Sequence, residues 1–232
     1  MAAPVITTYN ENPLHSALKT WYGGPDGDYE VPVDGFVVDL VQDGVLVEIQ
    51  TANFGAMRRK IEALLPRHAV RLVYPIAVEK WIVRMDAAGK RELGRRKSPK
   101  RGTVDDVFLE LVTFPRLLMH PNFTLDVVLI HEEEVRRTRP PGRRRRRRQK
   151  DWVREERRLI HVVDHRLFLT PADLSTRIPA SVPETFTTAD ISEATGLPRW
   201  LAQKMAYCLR TMDEIRVVGR SRKGLCYSRL AG

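Results

Sequence analysis

A chain of 232 residues, 43% of them apolar, has material for one large core or two modest ones. Two cysteines, Cys208 and Cys226, are too few for a disulfide framework or a cysteine-rich metal cluster, and without a signal peptide they read as reduced thiols of the cytoplasm. No window approaches about 18 consecutive apolar residues, so neither a membrane-spanning helix nor a membrane partner is expected, and a formal net charge of +10 points toward a polyanion.

Residues 10–22, "NENPLHSALKTWY", form the first expected helix. Asn10 caps it, Pro13 suits its first turn, and Leu14, His15, Leu18 and Tyr22 share one face. Glu11 falls on that face; it either complements the helix dipole or points toward an inner site. Residues 33–51, "VDGFVVDLVQDGVLVEIQT", read as a hairpin of two apolar strands that carries Asp34, Asp39, Glu48 and Gln50. A carboxylate on a buried strand costs several kcal/mol unless it is compensated, so these acids require an explanation. A three-residue "QDG" loop puts Asp34 on the face of Glu48 and Gln50, with a bend at Pro32 and Gly35 to close the gap. A two-residue "DG" turn would shift the parity and favour Asp39; the three-residue register is the one adopted.

Residues 53–65, "NFGAMRRKIEALL", are amphipathic, with Phe54, Met57, Ile61, Leu64 and Leu65 as the core stripe. Arg58 and Lys60 on this helix are candidate phosphate contacts. Residues 69–83 read as a buried strand broken at Pro75, and strand, helix and strand together make a right-handed crossover. In 90–101, "KRELGRRKSPKR", seven bases stand against one acid; the stretch either clamps a phosphate backbone or is a solvated turn. Residues 104–120 are helical as far as Phe114, and 123–134 form another strand. Residues 136–158 hold 13 basic and 3 acidic side chains, which accounts for the whole net charge of the chain. Arg143, Arg144, Arg145, Arg146, Arg147 and Arg148 repel one another beside Pro140, Pro141 and Gly142. The segment therefore reads as an interdomain linker whose arginines meet nucleic acid.

A helix with a glutamate, an aspartate at a strand start, a Glu-x-Gln pair on the next strand, a helix and a further strand resemble the core of the PD-(D/E)XK nuclease superfamily, over roughly residues 8–83. Glu11, Asp34, Glu48 and Gln50 stand at the matching positions, with Gln50 where lysine is usual. The resemblance implies a Mg²⁺- or Mn²⁺-dependent DNA endonuclease. Asp34, Glu48 and the Ile49 carbonyl would hold the cation, Glu11 would hold a second ion or orient a water, and Gln50 could only hydrogen-bond. The glutamine also favours an alternative, a catalytically inactive nuclease fold that binds DNA as a regulator or scaffold.

The C-terminal stretch 185–230 runs short strand, helix to Thr195, Gly196, helix from Pro198 to Met212, then two strands flanking the basic "RSRK". With an earlier helix in "PADLSTRIP" it resembles a winged helix-turn-helix. That resemblance implies that Arg199, Gln203 and Lys204 face bases or phosphates and that Arg220, Arg222 and Lys223 lie on the wing; a winged helix used for protein contact is the alternative. The expected architecture is α/β: a mixed-sheet restriction-endonuclease-like domain at 1–135, an arginine-rich linker at 136–158 and a small α+β winged-helix domain at 159–232. DNA is the expected partner, and a second copy of the chain, as a homodimer, is a further one.

If the arginine run touches the phosphate backbone, changing Arg143 to Arg148 to glutamine makes the slope of log affinity against log salt shallower by up to about 5 for duplex DNA. Titrations at several salt concentrations measure this, and an unchanged slope would show that the run makes no backbone contact.

Overall fold

The computed structural model describes residues 12–25, 27–139, 151–222 and 224–230. The chain is mixed α/β around a strand-rich mixed sheet, and among the described residues no helix is long and apolar enough to cross a membrane. Helix α1 (Pro13–Gly23) begins at Asn12, whose side chain accepts the Leu14 N–H at 3.2 Å. The cap is thus two residues later than the expected Asn10, which lies outside the described residues. Strands β1 (Asp28–Val33), β2 (Phe36–Gln42) and β3 (Val45–Ile49) form an antiparallel meander. Both of its connections are two-residue Asp-Gly turns, Asp34-Gly35 and Asp43-Gly44, with positive φ at all four residues (49°, 83°, 50° and 76°). This is the mirror-image turn whose twist matches that of the flanking strands.

The stretch after β3 is less regular than one continuous helix. A 3-10 turn at Phe54–Ala56 precedes the short helix α2 (Arg58–Leu64), although the expected stripe holds, with Phe54, Ile61 and Leu64 fully buried. Helix α2 crosses over to β4 (Val70–Met85), which lies parallel to β3. Pro75 does not break β4. Val73 faces β3, where its carbonyl accepts the Gln50 N–H at 2.9 Å, so Pro75 two residues on faces the same edge beyond the end of β3, and no partner there needs its missing N–H. Further along, β5 (Glu92–Lys97) pairs with β4 at Trp81–Met85, so part of the basic 90–101 stretch is strand. Of the expected helix at 104–120 only α3 (Phe108–Leu111) is α-helical, between 3-10 turns at Val104–Val107 and Pro115–Met119.

Strand β6 (Phe123–Thr138) is parallel to β4, and β7 (Trp152–Phe168) returns antiparallel to it, giving the order β1-β2-β3-β4-β6-β7 with β5 on β4. This corrects the expected linker at 136–158. Residues 136–138 and 152–158 are ladder rungs, with Thr138 opposite Trp152, and only 140–150, with the run Arg143 to Arg148, lie outside the described residues. The arginines tolerate the strands because acids stand next to them. Arg136 Nε reaches Glu134 at 2.5 Å, Arg157 Nε reaches Glu132 at 2.8 Å, and Arg137 pairs with Glu155. Consequently 159–168 belongs to the first sheet.

The second unit is α4 (Pro171–Ser175), β8 (Thr185–Phe186), α5 (Thr188–Thr195), α6 (Arg199–Thr211), β9 (Ile215–Ser221) and β10 (Gly224–Arg229), with sheet order β8-β10-β9. Leu201, Met205 and Leu209 of α6 join Phe54, Leu64, Phe108 and Leu111 in one buried cluster, so the two units share a core. At its margin Arg177 donates through two nitrogens to Asp105, at 2.7 and 2.9 Å. Replacing Arg177 with methionine leaves the Asp105 carboxylate buried without that partner. The expected loss is about 1–2 kcal/mol, discounted because the arginine is partly exposed. Denaturant unfolding should show Asp105→Asn on the Arg177→Met background regaining part of it.

Candidate functional site

The β2–β3 ladder ends at Leu40 opposite Val47. Beyond that rung the strands part, and the side chain of Asp39 fills the gap: its Oδ2 accepts the Ile49 N–H at 2.7 Å. The same oxygen lies 3.0 Å from Nε2 of His15 on α1. Burial pushes the Asp39 carboxyl up, but the hydrogen bond and charge of His15 together with the Ile49 amide outweigh it, so its pKa sits below the ordinary value.

Glu48, one residue before Ile49, is 2% exposed. Its Oε1 is buried and receives no aligned hydrogen bond, although the Lys60 ammonium of α2 lies against it as a charge contact. Lys60 also donates to the Val37 carbonyl at 2.5 Å. Burial, then the charge of Asp39, drive the Glu48 pKa up to about 7, against the pull of Lys60. Two carboxylates, one nearly sealed from water and incompletely compensated, therefore meet at the ends of two strands, with α1 closing one side and α2 the other.

The other expected site residues fall as follows. Asp34 is not part of this pair. It occupies the β1–β2 turn and binds Arg67 at 3.0 Å and His68 at 2.7 Å, just past the end of α2, whereas Glu48 meets Lys60 near its start. Lys60 lies in the first turn of α2 and Arg67 three residues past its last, so the two acids meet opposite ends of that helix. The reason is turn length: the two-residue Asp43-Gly44 turn sets the parity that brings Asp39 to Glu48. Gln50 does not face the pair either, since its amide donates to the carbonyls of Ala52 and, at 3.2 Å, Asn53, and so ties down the loop after β3. Arg58 is exposed and bonded to Glu62 at 2.8 Å. Glu11 lies outside the described residues. Asp39 was carried by the weaker of two registers, and the partners His15 and Lys60 had no signal beyond lying on the helices before and after the hairpin.

Among the described residues no three His, Cys, Asp or Glu side chains converge as a metal cluster. The two carboxylates and the Ile49 carbonyl nevertheless suit a hard cation that keeps several of its waters. In the second unit, Arg199 and Gln203 of α6 line a cleft of about 200 Å³ with Gly224 and Leu225 of β10. Lys204 is half-buried, Arg220 and Arg222 are exposed, and Lys223 lies outside the described residues.

The sequence profile of the family described as "Domain of unknown function (DUF8091)" matches residues 12–169, a span that ends where β7 ends. A protein of Treponema pallidum (strain Nichols), described as uncharacterized, is 31% identical over 189 residues, covering 81% of this chain and 74% of the relative. No solved structure matches.

The Glu48 pKa has a consequence for stability. A carboxyl raised from 4.5 to about 7 by folding binds more protons when folded, so stability falls as pH rises from 4.5 toward 7 and levels off above. Glu48→Gln removes this loss. Relative to the parent protein the variant should gain up to roughly 3 kcal/mol above pH 7 and almost nothing near pH 4.5. Urea unfolding without metal at both pH values measures it, and a gain independent of pH would mean that Glu48 is not strained.

Proposed function

The chain belongs to the family described as a domain of unknown function (DUF8091), and we propose that it is a metal-dependent DNA endonuclease, built on a restriction-endonuclease-like sheet and directed by a winged-helix unit. The observation that carries this reading is the buried, incompletely compensated Glu48 beside Asp39 at the splayed ends of β2 and β3. Around it, a helix, an antiparallel meander, a crossover helix and a parallel strand follow in the order that the resemblance to PD-(D/E)XK nucleases implies. The unpaired thiols Cys208 and Cys226 suit a reducing cytoplasm.

Asp39, Glu48 and the Ile49 carbonyl would hold Mg²⁺ or Mn²⁺. A cation so held supplies a water of lowered pKa and offsets the charge that builds on the phosphorane. The chain's own groups do the rest. His15 and the Ile49 N–H hold the Asp39 carboxylate in one orientation, and the ionised form is the one that binds metal. Lys60 brings from α2 the positive charge that Gln50 does not supply at the position where the superfamily usually has lysine. In the second unit β8 pairs with β10 and α6 follows α5 across Gly196, an arrangement that supports winged-helix binding with Arg199 and Gln203 toward the groove. One observation favours the alternative of an inactive DNA-binding scaffold: the Gln50 amide is engaged in the loop and Lys60 is engaged by Glu48.

Mg²⁺ or Mn²⁺ should raise the melting temperature by mass action. Asp39→Asn and Glu48→Gln should abolish that rise and any cleavage, whereas Asp34→Asn should keep both. Cleavage is screened on duplex, single-stranded and branched DNA. No metal response together with no cleavage of any substrate would leave the scaffold.

A further inference from the structure

A second feature lies at the exit of β3, the strand that carries Glu48. Between β4 and the start of α6 the chain forms a cleft of about 540 Å³, within the range of about 300–1,000 Å³ that holds small organic ligands. Its floor is apolar, with Tyr74, Ile76 and Leu197, and its walls carry Lys80, Lys100, Arg101 and Arg157 against the single acid Asp106. Two of these cations are held rigidly. The Lys80 ammonium sits 2.7 Å from Glu132 and 3.2 Å from Glu134, and Arg157 Nε sits 2.8 Å from Glu132. Arg136 adds a third cation on Glu134, so the two buried acids are outnumbered and the cleft stays positive. Arg157 also reaches the Thr51 carbonyl at 3.5 Å, and Thr51 follows Gln50 at the exit of β3. The cleft thus begins at the exit of β3, three residues beyond Glu48. On its rim, in the first turn of α6, Trp200 is 51% exposed.

We infer that this cleft takes one unstacked nucleotide of the DNA strand that passes the Asp39–Glu48 pair, with its base on Trp200 and its phosphate on Lys100 and Arg101. The inference rests on the nuclease reading above and names its substrate class: DNA with an unpaired segment next to the cleaved bond. Cations that follow a backbone together with an exposed aromatic ring are the pairing that binds single strands without regard to sequence, because every base has a face to stack. A small anion would use the cations and leave the tryptophan idle. A base reaches such a cleft only when it has left its stack and its partner, which costs least for a base that is already unpaired.

The test uses the full chain in a chelating buffer and two labelled probes, a blunt duplex and the same duplex with a short single-stranded tail. The tailed probe should bind more tightly. Trp200→Ala should shrink the gap between the probes by roughly tenfold and Trp200→Phe should keep most of it. Lys100→Ala with Arg101→Ala should make the salt slope for the tailed probe shallower by about 1.4, as two single-strand phosphate contacts require. Equal affinities for the two probes in the parent protein, or a Trp200→Ala effect of the same size on both, would overturn the inference. Cleavage in Mn²⁺ without a tail preference sinks the cleft and spares the nuclease. A tail preference that Trp200→Ala abolishes, with no cleavage in Mn²⁺, supports the cleft and sinks the nuclease.

Discussion

The hydrogen bond from Ile49 N–H to the Asp39 carboxylate is the contact on which the site depends. An amide on a buried strand must find an acceptor, and past the last β2–β3 rung no backbone carbonyl of β2 is there to take it. Asp39 answers that need with a charged group, which makes a stronger bond than a neutral one would. The choice has consequences on both sides of the sheet. The charge must itself be met, and His15 meets it from α1, which ties that helix to the hairpin. It also lies against Glu48, and the second carboxylate is then disfavoured by burial first and by its neighbour's charge second. One substitution for a ladder bond thus sets a second carboxylate against Glu48.

The molecule's other buried acids show why that matters. Glu132, fully buried, contacts Lys80 and Arg157, and Glu134 contacts Lys80 and Arg136. Asp126, 1% exposed, accepts the Tyr22 hydroxyl at 2.5 Å and lies 3.2 Å from His165. Asp105 has the two nitrogens of Arg177. Each of these carboxylates lies against cationic or hydroxyl partners, as a buried charge requires, although Glu132 Oε1, like Glu48 Oε1, receives no aligned hydrogen bond. Glu48 differs in its neighbour: after burial, the charge of Asp39 works against its ionised form, and Lys60 only partly offsets the two. The strain on Glu48 thus comes from a neighbouring carboxylate as well as from burial, and positive charge placed between the two would relieve it.

Much of this was open to reading before any coordinates. The apolar stripe of 53–65, the crossover into 69–83 and the order of pieces from 185 onward follow from periodicity and turn residues, because burial acts on those patterns directly. The site was legible in kind, as carboxylates on the 33–51 hairpin, but not in identity. A strand alternates faces with every residue, so the choice between Asp34 and Asp39 hung on a single residue of loop length. Both Asp-Gly pairs carried the turn signal, and a three-residue loop at Gln42-Asp43-Gly44 in place of the two-residue turn puts Asp34 rather than Asp39 on the face of Glu48. Strand β7 stayed hidden for another reason. Its charge was summed along the chain as repulsion, whereas in the sheet Arg157 stands next to Glu132 and Arg158 lies 3.7 Å from Glu133. Charge along a sequence and charge across a ladder are different quantities, and only the second determines whether a strand forms.

The corrected position of β6 and β7 also changes what the second unit can do. A tether of some twenty residues would let the second unit wander, coupled to the sheet only through effective concentration. Instead β7 runs to Phe168, α4 starts at Pro171, and α6 buries Leu201, Met205 and Leu209 in the core that also holds Phe54 and Phe108. The start of α6 is then fixed relative to the exit of β3 through Phe54, which lies four residues beyond Gln50 and within that shared core. The exposed surface of α6 and the Asp39–Glu48 pair are therefore carried on one core. Their separation is set by packing in the core and not by a tether.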